Sequence, residues 1–209
     1  MTALLPLKLA DAERASGVLA RALQNDPNFR RLFPHDGQRG AMLQKTLRYA
    51  VREGAMFGEV YAASPDFEGV AVWHPPRVAT SMLAMLLRVG AVRLPFEIGL
   101  TPARRVLQFF NFVEDVRRAL APSEHWHLQL LGVEPAHQGR GYAKRLLSPM
   151  LEHCDKEQVA CFLDTQNPIN VRFYERLGFR VVHQGAVPPT KSDAWFMLRA
   201  PQRPSTQVE

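Results

Sequence analysis

Apolar positions recur along this chain with two different periods, and the switches between them outline its elements. Leu4 to Leu9 predict a first strand. Ala12, Ala15, Leu19, Ala22 and Leu23 then share a helical face, with Asp11 placed as an N-cap. Pro27, Pro34 and Gly37 predict a loop carrying Phe29 and Phe33. A second helix follows, with Leu43, Leu47, Ala50 and Val51 on one side and Gly54 as its stop. "AMFGEVYAA" and "GVAVWHP" read as a hairpin. Residues 78–120 lose the strand period: Ser81 to Val92 is helix-prone. Thr101 and Pro102 form an N-cap and N1 pair, and Val106, Phe109, Phe110, Val113, Val116 and Leu120 recur at helical spacing. This stretch predicts a helical insertion.

The last ninety residues alternate again. "HWHLQLLGV" predicts a strand, Gly139 to Cys154 a helix that Pro149 can kink, and "VACFLD" a buried strand. Pro168 to Leu177 predicts a helix stopped by Gly178, and "FRVVHQGAV" and "AWFMLRA" two closing strands. The pattern predicts one α/β (α+β) domain over residues 1–200, with a mixed central sheet, helices on both faces and a disordered tail over 201–209.

Composition narrows the function classes. The chain has 209 residues, 46% of them hydrophobic, and a formal charge of +6. Its basic residues are scattered, which argues against a nucleic-acid-binding module. Cys154 and Cys161 form no CxxC, so neither a zinc set nor a disulfide framework is expected. The start does not read as a signal peptide, and Arg88, Arg93 and Pro95 interrupt the most apolar region. A soluble cytoplasmic protein with no metal and no membrane partner is expected, as a monomer or homodimer.

The chemistry concentrates in "HQGRGYAKRLL", between a strand and a helix. The first N–H groups of a helix have no internal partner and, with the helix dipole, attract anions. Gly139 and Gly141 leave room for phosphate oxygens, and Arg140 and Lys144 supply charge at the rim. No GxxxxGK string occurs, and Lys144 stands where a dinucleotide fingerprint needs its third glycine.

"LGVEPAHQGRGYAKRLL" resembles the Q/R-x-x-G-x-G/A motif of the GNAT N-acetyltransferases, spelled by Gln138, Gly139, Arg140, Gly141, Tyr142 and Ala143. "NPINVRFYERLGF" resembles that family's second motif, through Asn170, Phe173, Tyr174 and Gly178. The likeness is close from His125 to Val182, and residues 78–120 have no counterpart in a minimal member. The resemblance implies acetyl-CoA as co-substrate. Leu131 and Val133 would bond its pantetheine arm beside a bulge that Gly132 suits. The N–H groups from Gln138 to Ala143 would hold the pyrophosphate, Asn170 would touch the arm, and Tyr174 would protonate the leaving thiolate.

Acetyl transfer also needs a base, and Glu97, Glu124, His127 and Asp164 are all candidates. Trp126 and His127 alternate in direction, so at most one of them is expected to face the acceptor. Phe29 and Phe33 are candidates to line its pocket. The acceptor is expected to be a small-molecule primary amine. A protein or peptide amine and a non-catalytic acyl-CoA-binding sensor are the alternatives.

Overall fold

The computed structural model describes residues 4–76, 82–188 and 190–202. Seven strands form one sheet in the order β1-β2-β3-β4-β5-β7-β6. They are β1 (Leu5–Pro6), β2 (Glu59–Ala62), β3 (Gly69–His74), β4 (His125–Val133), β5 (Ala160–Thr165), β6 (Arg180–Val187) and β7 (Ser192–Arg199). Every pairing is antiparallel except β4 with β5. The mixed sheet matches the expected fold class.

The period-2 pattern assigns the two faces. Val70, Val72, Phe162 and Phe196 pack with helices α1 (Ala12–Leu23) and α3 (Asp36–Phe57). Ala71, Trp73, Leu163 and Met197 pack on the other face with α7 (Tyr142–Lys156) and α8 (Pro168–Glu175). The expected insertion is helical: α4 (Met82–Val89), a short α5 (Leu94–Ile98) and α6 (Leu100–Leu120). Its core-facing stripe of Ala103, Val106, Phe109 and Val113 joins the α1/α3 side. Residues 78–81 of the expected insertion and 203–209 of the expected tail lie outside the described residues. Gln202 is anchored rather than loose, its N–H donating to Asp155 Oδ1 at 2.7 Å.

Several expectations change. The loop after α1 contains a helix, α2 (Pro27–Leu32), because Asp26 caps it by accepting from Asn28 N at 2.9 Å and Pro27 starts it. Asp11 occupies the N-cap position of α1 as expected but makes no side-chain cap bond there: its carboxylate instead accepts from Lys8 N, 2.8 Å away, across a 3₁₀ turn. Gly54 does not stop α3, which runs on to Phe57. A Cβ at Gly54 would stand 2.5 Å from Val72 Cγ1, so this glycine lets the helix lie close on β3. Gly132 is likewise not the kink in β4, since a Cβ there would meet Leu19 Cδ2 and Ala22 Cβ at 2.9 Å each. Its bareness admits α1. Pro149 is accommodated within an unbroken α7. Among the described residues no helix is long and apolar enough to cross a membrane.

Candidate active site

The irregularity in β4 falls at Gln129. Val72 pairs with Leu130 and Trp73 with Leu128, so Gln129 is an extra residue opposite β3. A bulge of this kind re-aims the side chains beyond it. Trp126 and Leu128 face α7, whereas Leu130 packs on the α1/α3 side. On its other edge, β4 pairs with β5 from His125↔Ala160 to Leu128↔Leu163, and the recorded pairing ends there. Beyond that point the two strands form a fork, with residues 129–133 along one arm.

The turn beyond β4 positions the start of α7. Gly139 and Gly141 have φ of +75° and +83°, which L side chains disfavour, and a Cβ at either would meet nothing within 4 Å. These glycines therefore serve the path of the turn and leave its outer side open. The side chain of Gln138 donates to Val133 O at 3.1 Å and ties the turn to the strand end. Tyr142 turns inward, its hydroxyl donating to Glu68 Oε1 at 3.2 Å. Arg140 and Lys144 are exposed, and Ala143 is half-buried in the first turn of α7. This arrangement suits an anion resting on the helix N-terminus.

On the α1/α3 face, a cavity of about 940 Å³ opens beside the fork. Leu131, Thr165, Asn170 and Tyr174 line it at the fork. Phe29, Phe109, Phe110 and Val113 give it apolar walls, and Asp26, Glu53, His74, His127, Gln129 and Asp164 are polar groups on it. His127 Nε2 stands 3.8 Å from Asp164 Oδ1, and His74 Nε2 stands 3.9 Å from Glu53 Oε1. Both Nε2 atoms are buried and have no hydrogen-bond partner among the described residues. The two imidazole centroids lie 6.3 Å apart.

Burial sets the electrostatics. It pulls His127 below 6.5 against the opposing pull of Asp164, which keeps the imidazole neutral at neutral pH. Burial pushes the Asp26 carboxyl up to about 6, outweighing bonds from the Asn28 and Phe29 amides, with a smaller push from Asp164. Burial raises Glu53 although His74 and Gln129 oppose it. Tyr174 is raised by burial and then by the charge of Asp164, so its phenol holds its proton.

The sequence-predicted residues divide accordingly. His127, Phe29, Leu131, Asn170, Tyr174 and Asp164 come together on the cavity. Trp126 lies on the opposite face, its ring 5.9 Å from that of His153, because it alternates with His127. Phe33 is core, 2% exposed, and does not line the cavity. Phe173 packs beside Tyr174 on the α7/α8 side, with ring centroids 5.2 Å apart. Among the base candidates, Glu97 is engaged by Arg48 and Tyr49 at 2.8 Å each, and Glu124 is exposed.

Asp26, Glu53, His74 and Gln129 were not expected in the site. Two of them carry a readable signal. Glu53 follows Ala50 by three residues on the buried stripe of α3, and His74 shares the parity of Val70 and Val72. An ionisable residue on an apolar stripe marks a possible site.

The sequence model of the acetyltransferase (GNAT) family matches residues 105–179. An uncharacterized N-acetyltransferase of Schizosaccharomyces pombe is 25% identical over 205 residues, spanning 93% of this chain and 82% of that protein. A Corynebacterium glutamicum structure described as histone acetyltransferase HPA2 and related acetyltransferase superposes with a TM-score of 0.66. It is 21% identical and covers 97% of each chain. The Drosophila melanogaster polyamine N-acetyltransferase, which forms N-acetylagmatine, superposes with a TM-score of 0.59. It is 15% identical, covering 95% of this chain and 99% of that one. The two structural likenesses, at these identities, speak to the fold.

Proposed function

We propose that this chain is an N-acetyltransferase of the GNAT family, whose sequence model its residues 105–179 match, and that its donor is acetyl-CoA and its acceptor a small-molecule amine, both bound at once for direct transfer. The observation that carries this reading is the cavity's continuity. It runs from the fork, where Leu131, Asn170 and Tyr174 stand, to the buried group of His127, Asp164, Glu53 and His74.

The residues present fit the donor. The fork offers an edge of β4 at residues 129–133 for an extended amide-bearing arm. The open turn from Gln138 to Lys144 offers backbone N–H groups and the basic Arg140 and Lys144 for a diphosphate. The bound thioester supplies the acetyl group.

The chain's own side chains manage the protons. A free alkyl amine has a pKa of about 10.4 and arrives as a cation. Asp26, Glu53 and Asp164 favour that cation, while Phe29, Phe109, Phe110 and Val113 accept an apolar body. His127, held neutral by burial, takes the amine's proton at Nε2, and Asp164 at 3.8 Å stabilises the imidazolium that results. Tyr174 keeps its phenol proton and delivers it to the departing sulfur. The formation of N-acetylagmatine by the Drosophila neighbour supports a small amine acceptor. The walls that α6 contributes, Val106, Phe109, Phe110 and Val113, favour an acceptor with an apolar body.

The test is a thiol-release screen with acetyl-CoA against alkyl and arylalkyl amines, diamines, amino acids and peptide N-termini. Turnover is expected with small amines bearing an apolar body. Turnover confined to peptides, or none with any amine while acetyl-CoA still binds, would overturn the proposal.

A further inference from the structure

The helices over the cavity present a surface that the fold leaves uncovered. Helix α5 buries Ile98 and turns Phe96 outward, 91% exposed. Helix α6 faces the core through Ala103, Val106, Phe109 and Val113, which leaves Leu100, Arg104 and Leu107 on its other side at spacings of four and three. Leu100 is 76% exposed, Leu87 57% and Val92 48%. Isolated exposed apolar residues are ordinary, but several on consecutive, contacting elements mark an interaction surface.

The charge on this surface has one sign. Arg88, Arg93, Arg104 and Arg105 are exposed among these apolar residues. Between Met82 and Val113 the sequence contains a single acid, Glu97. Arg48 and Tyr49, from α3, hold that carboxylate at 2.8 Å each. A second copy of the chain docking by two-fold symmetry would set these arginines against each other, with no exposed acid in the segment to pair them. A nucleic acid would meet the charge but leave Phe96 and Leu100 facing phosphate and water. An anionic bilayer satisfies both, because its headgroups take arginine and its interface takes aromatic and aliphatic side chains.

We propose that the α4–α6 face docks peripherally on an anionic lipid bilayer. Phe96 and Leu100 enter the boundary between headgroups and acyl chains, and Arg88, Arg93, Arg104 and Arg105 contact headgroup phosphates. Val92 and Leu107 are exposed and also line the cavity, so docking brings the cavity's apolar side to the lipid. An amphiphilic amine dissolved in the bilayer then reaches the site without crossing water.

The experiment is co-sedimentation of the full chain with vesicles of phosphatidylcholine, with and without phosphatidylglycerol, at low and high salt. Phe96 and Leu100 line no part of the cavity, nor do Arg104 and Arg105. Phe96→Ser with Leu100→Ser, and separately Arg104→Glu with Arg105→Glu, should therefore keep the wild-type melting temperature and acetyl-CoA binding. Binding is expected to the anionic vesicles alone and to weaken with salt. The arginine pair should weaken it by roughly 30-fold and the apolar pair by about tenfold or more. Absence of binding to anionic vesicles would overturn the proposal, as would binding indifferent to both double variants. Sedimentation velocity without lipid supplies a further contradiction: a dimer that the Phe96 and Leu100 changes dissociate would assign the face to a second copy. None of these outcomes depends on finding the acceptor amine.

Discussion

The turn before α7 and the cavity beneath α6 are built in opposite ways. The turn is made of consecutive residues, and its chemistry lies in the backbone: two glycines at positive φ and the unpartnered N–H groups of a helix start. The cavity is made of side chains from many separate segments. Asp26 comes from before α2, Glu53 from α3, His74 from β3, His127 from β4 and Asp164 from β5. A site for an anion shared by many reactions can be local. A site for one particular amine needs groups that converge from across the sheet. The predictions below separate the two regions, beginning with the largest effect.

His127→Gln should lower kcat/KM by about 10²- to 10⁴-fold with acetyl-CoA affinity unchanged, the range for losing a general base. The pH profile sharpens this. Burial lowers the imidazole in the fold below 6.5, so wild-type activity should fall on an acidic limb below 6.5. Stability follows the same sign. Below 6.5 the unfolded chain binds the proton more readily than the fold does, so stability is lost as pH drops through that region. His127→Gln should flatten both trends. An unchanged acidic limb would remove His127 from the proton path.

Tyr174→Phe should lower kcat by about tenfold to a thousandfold when transfer limits the rate, because a thiolate leaves tolerably without full protonation. Its ring packing against Phe179, at 5.8 Å, is preserved, so the melting temperature should hardly move. Full kcat would make Tyr174 a packed aromatic only.

Gly132→Ala tests the corrected role of that glycine. A methyl group 2.9 Å from Leu19 and Ala22 must displace α1, at about 1–3 kcal/mol of stability by thermal melt. Acetyl-CoA affinity of the protein that remains folded should be nearly unchanged. Gly141→Val should do the reverse, with about 1–2 kcal/mol of backbone strain but a marked loss of acetyl-CoA affinity by calorimetric titration. If both variants behave alike, the distinction between a packing glycine and a turn glycine fails.

Asp26→Asn should produce the smallest change in the fold and a gain. Its carboxyl titrates at about 6 in the fold against 3.8 ordinarily, so the fold binds the proton more tightly than the unfolded chain. Stability therefore falls as pH rises from 3.8 to 6, and the full penalty is present at neutral pH. Asparagine keeps the N-cap bond and removes the charge, which should add on the order of 1–3 kcal/mol at neutral pH. KM for a cationic amine should rise. A variant no more stable than wild type at neutral pH would contradict the buried charge.

What the sequence disclosed follows the same division. β4 spans His125–Val133, as its alternation predicts, and the turn after it is legible because local spacing dictates local geometry. Gly54 and Gly132 were misread because a glycine that ends an element and one that admits a neighbour look alike without the neighbour. The bulge at Gln129 was illegible for a related reason: an extra residue exists only relative to the strand it opposes. Asp26 and Gln129 carry no pattern that tertiary convergence does not supply.

The central claim is direct transfer from acetyl-CoA to a small amine, and product analysis tests it most directly. Protein, acetyl-CoA and an amine active in the screen are mixed, free thiol is titrated, and the amine and the intact protein are weighed by mass spectrometry. The account predicts acetylated amine and CoA in equal amounts, with no acetyl group on the protein when acetyl-CoA is supplied alone. Acetyl-CoA binding that yields no acetylated amine, or an acetylated protein that then passes its group to the amine, would contradict it.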